Sequence, residues 1–130
     1  MTESTPPAGT IAWRDLTVPD AAAIRDFYAR VVGWTPEPVD MGGYSDFNML
    51  PAGSNEPEAG VCYARGSNAD LPPVWLMYIV VDDVAWSAAE CVRLGGSIVV
   101  PTRGLAGGRF CVIRDPAGAV CALYQPASAA

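Results

Sequence analysis

Apolar residues run through Leu16-Thr17-Val18 and again through Tyr78-Ile79-Val80-Val81, and each run leads to an aspartate, Asp20 or Asp83. After Asp20, the residues Ile24, Phe27, Tyr28, Val31 and Val32 recur at i, i+3, i+4, i+7 and i+8, which predicts one apolar face of a helix ending at Gly33. After Asp83, Val84, Ala88, Cys91 and Val92 form the buried face of a second helix, which ends at Gly95-Gly96. Each aspartate stands where its carboxylate can cap the first turn, and each glycine where a helix stops. Asp20 and Gly33 thus recur as Asp83 and Gly96 at one constant offset of 63 residues.

The remaining segments read as strands and turns. A strand from about Thr10 to Val18 opens the first unit. Strands near Trp34 to Glu37, Tyr44 to Leu50 and Ala59 to Arg65 follow its helix, separated by turns at Met41-Gly42-Gly43 and Pro51 to Glu56. Asn68 to Pro73 is polar and proline-rich, a linker. The second unit repeats the order: a strand at Val74 to Val81, the helix, then strands at Ser97 to Pro101, Arg109 to Arg114 and Ala119 to Gln125. Gly104 to Gly108 is the expected turn between the first two of these. Asp115-Pro116-Ala117-Gly118 predicts a tight hairpin, with proline preset for the first turn position and glycine free to take positive φ. The expected fold is α+β: two βαβββ modules forming a cupped eight-stranded mixed sheet with helices outside. The boundaries are 1–9 for a flexible N-terminal segment, 10–67 for the first module, 68–73 for the linker and 74–126 for the second module, with 10–126 making one domain.

Length and composition agree with one domain, since 130 residues with 51% hydrophobic content supply a core. No apolar run reaches the roughly 18 to 20 residues needed to cross a bilayer, and the first residues lack a signal pattern, so a cytoplasmic protein is expected. All eight basic residues are arginine and the net charge is −6, which leaves no basic stripe for nucleic acid. Cys62, Cys91, Cys111 and Cys121 form no C-x-x-C pair and read as buried free thiols, Cys111 being the one minor candidate for reactivity. There is no histidine, which removes the commonest ligand for catalytic zinc, iron or nickel.

The element order, together with Phe27-Tyr28 through Gly33-Trp34, Val81-Asp82-Asp83-Val84, Leu94-Gly95-Gly96 and Asp115-Pro116-Ala117-Gly118, resembles the vicinal oxygen chelate superfamily. That superfamily includes glyoxalase I, extradiol dioxygenases, fosfomycin-resistance enzymes and bleomycin-resistance proteins. The resemblance spans about Thr10 to Gln125 and implies a cleft for a small molecule and a tendency to homodimerise. Its metal-binding members carry a His or Gln in the first strand of each module and a Glu in a last strand. The matching positions here are Trp13, Leu76 and Ala122, none of them a ligand, and a fourth falls near Ala59 to Tyr63, with Glu58 the nearest carboxylate. No metal or other cofactor is therefore expected.

Strand alternation turns Leu16 and Val18 toward the helices and Trp13, Asp15 and Thr17 toward the cup. By the repeat, Leu76, Tyr78 and Val80 face it from the second module, and Val120, Ala122 and Tyr124 from the last strand. Tyr44, Phe47, Met49, Tyr63, Trp75 and Phe110 add to the lining, with their facing left open. The candidate ligand-binding set is Trp13, Asp15, Thr17, Tyr44, Phe47, Trp75, Leu76, Tyr78, Phe110, Ala122 and Tyr124. Asp15 is either a general base or a carboxylate hydrogen-bonded to Tyr78, Thr17 or Arg109, and Tyr78 is either a proton donor or a satisfied core tyrosine. Arg109 and Arg114 are candidates for meeting an anion, and Trp86, off the apolar stripe of its helix, is a candidate interface residue with Trp34.

The functional expectation is a metal-free protein that binds a small aromatic or hydrophobic molecule, as in antibiotic or metabolite sequestration. Its rivals are a metal-independent isomerase, lyase or hydrolase using Asp15 and Tyr78, and a metal-dependent glyoxalase or dioxygenase.

Overall fold

The structure, a computed structural model, describes residues 5–127. Its elements run β1 (Ile11–Val18), α1 (Ala21–Val32), β2 (Thr35–Asp40), β3 (Ser45–Leu50), β4 (Ala59–Tyr63), a 3-10 turn (Gly66–Asn68), β5 (Leu76–Val80), α2 (Val84–Arg93), β6 (Ser97–Leu105), β7 (Gly108–Arg114) and β8 (Val120–Gln125). The strands form an eight-stranded mixed sheet of order β2-β3-β4-β1-β5-β8-β7-β6. The chain divides into two compact units. The first is Arg14–Trp75, and the second joins the start of the chain, as far as Trp13, to everything from Leu76 onward.

In the first unit β1 pairs in parallel with β4, which pairs antiparallel with β3, and β3 with β2. In the second unit β5 pairs in parallel with β8, which pairs antiparallel with β7, and β7 with β6. Both units therefore have the same ladder order, first strand, fourth, third, second. Parallel pairing of first and fourth strands needs a long crossover, and the helix together with the hairpin strands supplies it.

The helices begin as the sequence predicts. Asp20 accepts the Ala23 N–H and Asp83 the Trp86 N–H, both at 3.1 Å. They end differently. Gly33 takes φ 87° and donates to the Ala29 carbonyl, whereas in α2 the positive φ, 99°, belongs to Gly95. Asp115 builds the β7–β8 turn, its Oδ1 accepting from Ala117 and Ala119 N–H at 2.8 and 3.0 Å.

Each helix covers one face of its unit. Leu16, Val18, Ala21, Phe47, Met49 and Val61 form the core under α1, joined by Ile24, Tyr28, Trp34, Tyr63 and Trp75. Val84, Cys111 and Leu123 form the core under α2, joined by Val81, Ala88 and Ile113. The apolar stripes are wider than these contacts. Phe27, Val31 and Val32 in α1 and Val92 in α2 are exposed.

Several boundaries differ from expectation. β2 runs to Asp40, and β5 begins at Leu76, leaving Trp75 in the preceding segment. β6 continues to Leu105 through two irregularities that absorb extra residues, and its turn is only Ala106-Gly107, both at positive φ, 51° and 80°. That pair matches the twist of a two-residue hairpin, so no longer loop is needed. Of the N-terminal segment 1–9, residues 1–4 lie outside the described residues. Gly9 is tied down, its N–H donating to the Val80 carbonyl at 2.8 Å while Val80 donates to Thr10. No helix among the described residues is long and apolar enough to cross a membrane.

Candidate functional site

Residues directly opposite across a ladder share a face. In the first unit Asp15 opposes Gly60, which opposes Asn48, and Thr17 opposes Cys62. These lie on the face turned away from α1, with Asp46 two positions from Asn48 on the same side. The face is a row of polar groups. Thr17 and Asp46, at 4% and 6% exposed, are the only buried polar side chains among the described residues. Asp46 Oδ1 accepts the Tyr63 N–H at 2.9 Å, and its carboxylate also hydrogen-bonds the Cys62 thiol. Burial, and then the charges of Asp15 and Asp46, push the Cys62 thiol far above its ordinary range. It stays protonated and is a hydrogen-bond donor, not a nucleophile. Burial likewise raises Cys111, the thiol singled out from sequence.

In the second unit Tyr78 opposes Ala122, which opposes Val112, and Val80 opposes Tyr124, which opposes Phe110. These residues and Leu76 occupy the face turned away from α2, and it is aromatic and aliphatic. The Tyr78 and Phe110 rings lie 5.9 Å apart and tilted. Leu76, Tyr78, Phe110 and Ala122 are buried, and Tyr124 is half-buried.

Of the residues expected to line a site, Asp15 and Thr17 come together in the first unit, and Leu76, Tyr78, Phe110, Ala122 and Tyr124 in the second. Trp13, half-buried, precedes Asp15 by two positions on β1 and so takes the same side of that strand. Phe47 and Trp75 do not belong with them. Phe47 opposes Val61 in the core under α1 and is covered by Arg25, whose guanidinium carbon lies 4.5 Å from the ring centroid. Trp75 donates from Nε1 to the Tyr28 hydroxyl at 3.0 Å and packs edge-on against Trp34 and Tyr28. Met49 and Tyr63 also take the α1 side. Alternation had no purchase on Trp75, which lies outside any strand, and could not orient Phe47 until β3 was paired. Tyr44 packs against Tyr63 at 6.0 Å, with Arg65 3.8 Å from its ring. Trp34 is engaged in the aromatic cluster, whereas Trp86 is 64% exposed.

The polar companions Asp46, Asn48 and Cys62 were missed, although the same alternation that turned Asp15 outward would have found them once β3 and β4 were in register. The ladders also settle the fourth position of the repeat. Asp15 and Tyr78 are equivalent by the 63-residue offset, and their partners are Gly60 and Ala122. Glu58 is elsewhere, paired with Arg14 at 3.1 Å. Gly60 thus joins Trp13, Leu76 and Ala122, the positions that the resemblance aligns with metal ligands, and none of the four side chains is a metal ligand. Among the described residues no group of three or more His, Cys, Asp or Glu side chains stands close enough to hold a metal ion.

Shallow cavities lie elsewhere among the described residues. One of about 280 Å³ lies beside α1, walled by Ile24, Phe27, Tyr28 and Trp75, and one of about 450 Å³ lies at the start of α2, beside Gly9, Asp82, Asp83 and Trp86.

The model of the Glyoxalase/Bleomycin resistance protein/Dioxygenase superfamily matches residues 10–123. The anthracycline biosynthesis protein DnrV of Streptomyces peucetius is 34% identical over 129 residues, covering 90% of this chain and 47% of DnrV. CFP32 of Mycobacterium tuberculosis, named as a proposed glyoxylase, is 33% identical over 120 residues, covering 90% of this chain and 46% of CFP32. The chain thus spans about half the length of these relatives. Among solved structures, methylmalonyl-CoA epimerase from Mycobacterium tuberculosis superposes with a TM-score of 0.50 at 19% identity, over 97% of this chain and 93% of that one. Protein BH1468 of Bacillus halodurans C-125 does so with a TM-score of 0.56 at 12% identity, over 95% and 99%. At such identities these likenesses speak for the fold.

Proposed function

This chain belongs to the Glyoxalase/Bleomycin resistance protein/Dioxygenase superfamily, and from that premise we propose that it binds a small, largely aromatic molecule on the helix-free face of its second unit, without a metal ion. The observation that carries this reading is the make-up of that face, which sets Tyr78, Phe110 and Tyr124 among aliphatic residues and carries two tyrosine hydroxyls. Apolar area supplies affinity and a few polar groups fix orientation, the usual division in small-molecule sites. Relatives named for anthracycline biosynthesis favour a fused-ring aromatic as the ligand class. Sequestration of such a compound is the leading form of the proposal, in a homodimer formed through exposed apolar residues such as Trp86.

A second reading is favoured by the relatives' names, which denote biosynthesis and a proposed glyoxylase. On that reading the protein is a metal-independent enzyme, with Asp15 accepting a proton and Tyr78 donating one. Asp15→Asn separates the two, since it would abolish turnover and spare binding in an enzyme. Metal-dependent chemistry does not fit the side chains at the four positions that the resemblance aligns with metal ligands.

The test is titration with an anthracycline, read by tryptophan fluorescence and thermal shift, with EDTA and then with added Ni(II) or Zn(II). Saturable binding that EDTA leaves unchanged is expected. At a ligand concentration 100 times the dissociation constant, stability should rise by about 2.7 kcal/mol. Stabilisation that requires the metal would overturn the reading.

A further inference from the structure

The β6–β7 ladder is irregular twice, between Ile98 and Val100 and between Val100 and Arg103. Each irregularity inserts one residue on β6, and a one-residue insertion flips the facing of everything beyond it. Without the second, Thr102 would oppose Phe110. Instead Arg103 does. Two further contacts agree with this facing. Thr102 hydrogen-bonds the thiol of Cys111, which belongs to the core under α2, so Thr102 is on the helix side. The Arg103 guanidinium carbon lies 5.5 Å from the centroid of the Phe110 ring, on the helix-free side.

Bulges that re-aim one side chain recur beside functional sites. Here the bulge delivers a cation beside the buried aromatic residues of this face. Arg103 is half-buried, stacked over buried Phe110, and Phe110 opposes half-buried Tyr124. Arg25 and Arg65 also lie over rings, those of Phe47 and Tyr44, but in the first unit. Arg14, Arg25 and Arg93 are ion-paired with Glu58, Asp26 and Glu90. Arg109 takes the α2 side of β7, and Arg114 is exposed at the far end of the strand, opposite Val120.

We infer that Arg103 is the specificity-determining residue of the second unit's ligand face, and that the ligand is an aromatic molecule bearing an acidic oxygen, a carboxylate or an ionised phenol or enol. This rests on the proposed aromatic-ligand function and deepens it. A guanidinium over an aromatic ring keeps its N–H donors for other partners, suited to a carboxylate or to adjacent ring oxygens. Arg103 is already engaged within the chain, so the ligand oxygen joins or displaces that partner. With a net charge of −6 the protein as a whole repels anions, so a preference for an anion has to come from a local cation.

The experiment compares 1-hydroxy-2-naphthoate with its methyl ester, an anion and a neutral molecule of the same ring system, by fluorescence titration. The wild-type protein should bind the anion about tenfold more tightly, as a charge-assisted contact adds to the shared ring burial. Arg103→Gln should lower the anion's affinity to that of the ester while leaving the ester unchanged, and Arg103→Lys should restore part of the difference. Far-UV circular dichroism and the thermal midpoint check that the variants fold. If Arg103→Gln does not fold, the salt dependence of the wild type decides, since only the anion's affinity should fall as salt rises. An ester that binds as tightly as the anion, or a preference that survives in Arg103→Gln, would overturn this inference and leave the aromatic-ligand reading standing. Failure of both probes to bind the wild type would overturn both.

Discussion

An added Cβ at Gly96 would lie 2.6 Å from Cys91 Sγ and 2.8 Å from the Arg114 carbonyl, whereas one at Gly33 would meet nothing within 4 Å. The two glycines match in sequence and are needed for different reasons: Gly33 for positive φ, Gly96 for the close approach of α2 to β7. Gly33→Ala should cost about 1 kcal/mol from conformation alone. Gly96→Ala should cost about 1 to 3 kcal/mol, as overpacking does, since the backbone carbonyls of Arg114 and Cys91 stand in the way beside the Cys91 sulfur. Urea denaturation of the two variants would show the difference. Cys62 gives a second prediction. Its folded-state pKa is raised by burial and by Asp15 and Asp46 above the ordinary 9.0, so above that pH the unfolded thiol loses a proton that the folded one keeps. Its contribution is therefore intact below about pH 9 and declines as pH rises further, with a slope of at most about 1.4 kcal/mol per pH unit. Urea midpoints from about pH 8.5 to about pH 10 should fall more steeply for the wild type than for Cys62→Ala.

Elements here are held by a few side-chain contacts at their ends. Asp83 accepts the Trp86 N–H, while its neighbour Asp82 is exposed beside it. Asp83→Ala should cost about 1 kcal/mol and Asp82→Ala less than about 0.5 kcal/mol, measured by thermal denaturation. Caps and turns of this kind were legible because their chemistry is local: Asp20, Asp83 and the Asp115 turn each act within four residues of themselves. β6 was not. Its irregularities show no residue signature, being fixed by which residues of β7 lie opposite, and Arg103 acquired its facing only through them. Phe27, Val31 and Val32 are likewise exposed on the apolar stripe of α1, since periodicity marks the apolar side of a helix but not which of its residues are covered.

At the scale of the whole molecule, the two units repeat one ladder order, and the repeat places Asp15 and Tyr78 in equivalent positions beside Gly60 and Ala122. With no metal ligand among Trp13, Gly60, Leu76 and Ala122, added Ni(II), Zn(II), Mn(II) or Fe(II) should leave the thermal midpoint unchanged, and a rise on metal addition would show that ligands lie outside these positions. Trp86→Glu tests self-association: if the exposed indole serves a homodimer, sedimentation should show the wild type as a dimer and the variant shifted toward monomer. The relatives are about twice as long as this chain, so any activity named for them belongs to polypeptides with as much sequence again beyond the matched part.

By itself the sequence determined the repeat, the two capped helices, the Asp115 hairpin, the family resemblance and the facing of Asp15, Thr17, Tyr78 and Ala122. Those features follow from periodicity and from contacts close along the chain, which residue order records directly. Only the tertiary structure decided that Phe47 and Trp75 belong under α1, that Gly60 fills the fourth position, that Asp46 and Cys62 join Asp15 in a polar row, and that Arg103 lies over Phe110. Each of these depends on the register between strands distant in sequence, and register is fixed by the paired strands together, not by either one alone.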